Sequence, residues 1–159
     1  MKTTLEEAKE RDHKDVVNAL QELVEKNHDA EKGFKKAMEK VEHSRLKTFL
    51  SRQAVQRNRF VTELEFELRQ LDEQPKEENG SVSGSIHRAW IDLKSAVTGN
   101  DAENVLEECI RGEKASVKEY DEVLKEHKLP QDINIVVTKQ RDEINKTLNE
   151  IKTLEDLHD

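Results

Sequence analysis

The chain has almost none of the residues that staple, kink or pin a small fold. Its 159 residues include one cysteine, Cys109, and two prolines, Pro75 and Pro130. A lone cysteine excludes an internal disulfide, and two prolines leave long segments free to run as unbroken helix. Aromatic residues make up only 4% of the chain, too few to furnish the faces of a sheet protein. No apolar run approaches the roughly 20 residues needed to cross a bilayer. The opening MKTTLEEAKERDHKDVVN also lacks the apolar centre of a secretory leader. A positive balance is missing too: 27 Lys and Arg stand against 35 Asp and Glu, for a formal net charge of −8. An acidic surface repels phosphate backbones, so nucleic acid is not an expected partner. No basic amphipathic face offers itself to a membrane surface. A soluble, cytoplasmic, single-domain protein is the expectation.

What the chain does have is charge, at 39% of its residues. Such polarity on its own also fits a disordered chain. The spacing of the apolar residues argues against that. Val16, Leu20, Leu23, Val24, Asn27, Phe34, Ala37, Met38 and Val41 recur on one helical face. A second stripe runs through Leu46, Phe49, Leu50, Gln53, Arg57, Phe60, Leu64, Leu68 and Leu71. A third holds Val105, Leu106, Cys109, Ile110, Glu113, Val117, Tyr120 and Leu124. The last holds Ile133, Val136, Val137, Gln140, Ile144, Leu148, Ile151 and Leu154.

The expected fold is all-α, with long helices at about 15–43, 45–73, 102–127 and 132–157. Residues 1–14 are expected to form a partly helical arm, with capping patterns at Thr4-x-x-Glu7 and Asp12-x-x-Asp15. Ser44 is the expected N-cap of the second helix. Short connections near 43–45 and 128–132 imply two antiparallel hairpins, and a long link between them allows a crossover. That link holds the chain's only tryptophan. Ser85 can cap a short helix over about 86–98, carrying Ile86, Trp90 and Leu93, and Gly99 can stop it.

Three segments carry a resemblance: GSVSGSIHRAWIDLKSAVTG (Gly80–Gly99), LEECIRGEKASVKEY (Leu106–Tyr120) and RNRFVTEL (Arg57–Leu64). The chain resembles the ferritin-like superfamily and, more closely, a bacterial family of small ferritin-like four-helix bundles of unknown function. The resemblance implies a ferritin-like bundle of two antiparallel hairpins, a bacterial origin and a cytoplasmic location. It implies no substrate.

Ferritin-like enzymes hold two irons or manganese ions with a Glu from each of two helices and Glu-x-x-His from each of the other two. Residues three apart share a helical face, so carboxylate and imidazole reach inward together. Here Glu113 occupies a core position at mid-helix, and its counterpart in the first helix is the amide Asn27. The second helix reads Gln53-x-x-Gln56 with Arg57 on the stripe, and the last reads Gln140-x-x-Glu143. A guanidinium beside a metal works against binding. Glu10/His13, Glu25/His28 and Glu155/His158 have the spacing but lie off the mid-bundle core stripes. The expectation is an internal polar cluster of Glu113, Asn27, Arg57 and Gln140, with no metal and no cofactor.

Among the remaining candidates, His43 and His127 are expected near helix C-termini, where a cation suits the dipole. Cys109 and Tyr120 read as core residues. Val55 and Phe66, eleven positions apart, share the second helix's outer face. Their expected cover is the crossover helix through Ile86, Trp90 and Leu93, or else a second copy of the protein. The expected function is a non-enzymatic structural or interaction bundle, a stress-associated role included, with a homodimer or an unidentified protein as partner. The competing reading is a metal-dependent (di-iron or di-manganese) oxidoreductase or metal-binding protein with an atypical site.

Overall fold

The structure is a computed structural model that describes residues 3–75 and 102–158, with side chains to 153. It is all-α, with four helices and no strand among the described residues. In chain order they are α1 (Thr4–Lys40), α2 (Ser44–Gln70), α3 (Ala102–Glu126) and α4 (Gln131–His158).

The helix ends differ from the sequence expectation in instructive ways. α1 begins at Thr4, so the arm is continuous with the first long helix. Its cap is Thr3, one residue before the expected Thr4: Thr3 Oγ1 accepts from the Glu6 amide at 3.1 Å, and Glu6 Oε2 accepts from the Thr3 amide at 3.2 Å. That reciprocal box supports a first turn that buries nothing, since burial on α1 starts only at Val16. α2 is capped by His43 rather than Ser44, with Nδ1 accepting from the Leu46 amide at 3.2 Å. The ring therefore serves a helix start, where an acceptor is wanted, not a helix end. α2 stops at Gln70 through paired bonds, Glu73 N to Leu68 O and Asp72 N to Arg69 O, both 3.0 Å. This closing loop requires a left-handed residue, and Asp72 takes it with φ 60°.

α1 lies along α2 and α3 along α4, the α1–α2 contacts stepping down one helix as they climb the other. His13 meets Glu73, Asn27 meets Arg57, and Glu31 meets Asn58. Across the pairs, Lys26 bridges to Glu119 and Arg59 to Glu143, which ties α1 to α3 and α2 to α4.

The apolar core is divided in two. One cluster gathers Leu20 and Leu23 of α1, Phe60 and Leu64 of α2, Tyr120 of α3 and Val137 and Ile144 of α4. The other gathers Phe34 of α1, Phe49 and Leu50 of α2, Leu106 and Cys109 of α3 and Ile151 of α4. Each large side chain fully buried here contributes about 1.5–3 kcal/mol. On α1, α2 and α3 the break between the clusters falls around positions 27, 57 and 113. Polar side chains fill it.

Candidate functional site: a buried polar layer at mid-bundle

Each stripe gives up a hydrophobic position, three of them at the break between the clusters and the fourth, on α4, between Val137 and Ile144 of the first cluster. α1 supplies Asn27, α2 Arg57, α3 Glu113 and α4 Gln140, all 0–1% exposed. Arg57 is the centre. Its Nη2 donates to Glu113 Oε1 at 2.6 Å and its Nη1 to Asn27 Oδ1 at 2.7 Å. The planar fork suits this task, since one side chain faces two acceptors on two helices.

From Asn27 the bonding continues. Asn27 Nδ2 donates to the Leu23 carbonyl and to Tyr120 OH, each at 2.8 Å. Tyr120 OH in turn donates to Gln140 Oε1 at 2.6 Å. Gln140 Nε2 donates to the Phe60 carbonyl at 3.2 Å and to Glu63 Oε1 at 3.0 Å. Glu63 Oε2 accepts from Arg59, which also holds Glu143 at 2.9 Å. A continuous path of polar groups thus leads from the buried Glu113 to the exposed Arg59.

The structure joins Asn27, Arg57 and Glu113 directly, while Gln140 reaches them only through Tyr120. The sequence reading assigned Tyr120 to the apolar core and overlooked Glu63. It also overlooked Thr147, whose Oγ1 donates to Gln53 Oε1 at 3.1 Å in a second buried α2–α4 pair. One signal was available for Tyr120: a lone tyrosine on a buried stripe needs a partner for its hydroxyl.

The electrostatics follow from burial. Loss of water pushes the Glu113 carboxyl up, against the opposing pull of the Arg57 guanidinium. Glu113 Oε2 is buried and has no hydrogen-bond partner. Tyr120 is raised chiefly by burial. Cys109, one turn before Glu113, is raised well above the ordinary thiol value by burial and then by Glu113 and Glu108. Such a thiol is not a nucleophile.

A di-metal carboxylate centre does not fit this layer. It offers one carboxylate, already bound to a guanidinium, and two amides. Among the described residues no three His, Cys, Asp or Glu side chains converge on a point. Val55 and Phe66 stand exposed on α2, at 68% and 56%. Their expected partners Ile86, Trp90 and Leu93 lie outside the described residues.

Residues 15–126 match the family model of a domain of unknown function, DUF2383. The chain belongs to this family. The DUF2383 match takes in Asn27, Arg57, Glu113 and Tyr120 and ends with α3, so Gln140 on α4 lies beyond it. No curated protein matches this DUF2383 chain. No helix among the described residues is long and apolar enough to cross a membrane.

Proposed function

We propose that this DUF2383 protein is a bacterial, cytoplasmic, non-enzymatic bundle that acts by structure or interaction, in a stress-associated setting. In this reading the fold is ferritin-like: two antiparallel hairpins joined by a crossover that carries a short helix. The order of contacts along α1 and α2 and the short connections at 41–43 and 127–130 support the hairpins. The partner is a second copy or another protein, and neither nucleic acid nor membrane is engaged.

One observation carries the non-enzymatic reading. The centre of the bundle is occupied by Arg57, a guanidinium donor with Glu113 and Asn27 as acceptors. Positive charge at that point opposes metal binding, and a paired fork of this kind fixes helix register instead. The test is metal analysis of protein purified without chelator, beside its mass in solution. Metal-free protein of defined mass supports the reading. Stoichiometric iron or manganese overturns it in favour of a metal-dependent protein with an atypical site.

A further inference from the structure

One face of α2 lies open along most of its length, through Ser44, Thr48, Val55, Thr62 and Phe66. At the helical repeat these positions fall within a strip about 40° wide, opposite the core. All five are exposed and none is charged, in a chain whose residues are 39% charged. Val55 and Phe66 stand on it at 68% and 56% exposure. Eleven residues of helix separate them, or about 16 Å. The other large exposed apolar side chains among the described residues, Leu5 and Ile135, lie on α1 and α4. A single exposed apolar side chain is ordinary, but two in register on an uncharged strip mark a contact surface.

Beside Val55 a cleft of about 360 Å³ opens between α1 and α2, with Met38, Ala54 and Val55 as its apolar lining. Its charged lining residues are already paired: Lys35 meets Glu31 at 3.3 Å, and Asn58 donates to Glu31 at 3.2 Å. Such a hollow has no free charge to offer a polar ligand. It suits an apolar side chain arriving from outside. We propose that this face is a two-fold interface between two copies of the chain, with α2 of one copy antiparallel to α2 of the other. In such a contact each helix supplies both halves: Phe66 of one copy enters the cleft beside Val55 of the other, and the reverse. The register this sets brings unlike groups together along the strip's flanks. Arg59 faces Glu63, Glu65 faces Asn58 and Arg52 faces Gln70, so no like charges meet. The inference rests on the reading of the chain as an interaction bundle and names its partner. Iron or manganese content decides that reading and does not bear on self-association, so the two can fail separately.

The test is sedimentation of the full chain over a concentration series. The wild type is expected at twice the 18.5 kDa mass of the chain. Phe66→Asp and Val55→Asp, each confirmed as helical by circular dichroism, are expected to weaken association at least about a hundredfold, roughly tenfold for each of the two equivalent contacts. Thr62→Cys, close to the two-fold axis, is expected to oxidise to a covalent dimer, whereas Lys118→Cys on the exposed side of α3 is not. The native thiol, Cys109, is buried and does not compete. A monomeric wild type overturns the proposal, and so does a dimer that Phe66→Asp leaves intact. A monomer that Phe66→Asp destabilises overturns it in favour of cover by the chain's own residues 76–101.

Discussion

Arg57 and Glu113, on α2 and α3, meet at 2.6 Å with 1% and 0% of their side chains exposed. Neither charge has solvent to fall back on, so each depends on the other and on the groups around them. A buried pair of this kind adds little net stability over an apolar replacement, but losing one member is severe. Glu113→Leu leaves the guanidinium without its carboxylate, and Arg57→Met leaves the carboxyl without its donor. Each is expected to lose about 3–5 kcal/mol in urea unfolding. The double variant is expected to recover more than half of the summed loss, with Asn27 still lacking its Arg57 bond. Strictly additive losses would show that the two residues act separately.

The pH dependence follows from the direction of the Glu113 shift. Burial raises its folded value above the ordinary 4.5, and Glu67 is raised likewise, by burial first and by Asp132 second. In the window just above 4.5 the folded chain therefore holds more protons at these sites than the unfolded chain. Their contribution to stability is full below that value and is lost as pH rises through the folded values. Glu113→Gln keeps an acceptor for Arg57 Nη2 but cannot ionise. The stability of the wild type relative to this variant is expected to fall as the pH rises above 4.5, as denaturant unfolding will show. A rise over that range would mean that attraction to Arg57 outweighs burial.

Tyr120 is the hinge of the polar path, accepting from Asn27 and donating to Gln140. Tyr120→Phe removes one oxygen from a buried site and leaves Gln140 Oε1 without a donor. The expected loss is about 1–3 kcal/mol by thermal or urea unfolding. A loss well below that would mean that Gln140 and Asn27 find other partners.

Much of the fold was legible because helices bury one stripe, and the stripes are unambiguous from Val16 onward. The odd residues on those stripes, Asn27, Arg57, Glu113 and Gln140, were visible for the same reason. Tyr120 and Thr147 were not, because each suits a core by its apolar part, and only the facing helix shows what its hydroxyl meets. Glu63 was hidden by distance: its tie to Gln140 depends on how α2 and α4 align, which no single stripe encodes. The early start of α1 was missed because its first turns bury almost nothing and rest on the Thr3–Glu6 box.

Cys109 is fully buried, and its thiol is raised by burial. Ellman's reagent is expected to find no reactive thiol in the native protein and one per chain in denaturant. Rapid labelling of the native state would place Cys109 on an opening path through the second apolar cluster.

The central claim is that Arg57 makes the middle of this bundle a closed ion-pair layer rather than a metal centre. Anaerobic titration of the chelator-treated protein with Fe²⁺ and with Mn²⁺, comparing wild type and Glu113→Gln, tests it most directly. The account predicts no saturable binding to the core in either protein. One or two equivalents bound by the wild type and lost in Glu113→Gln would contradict it.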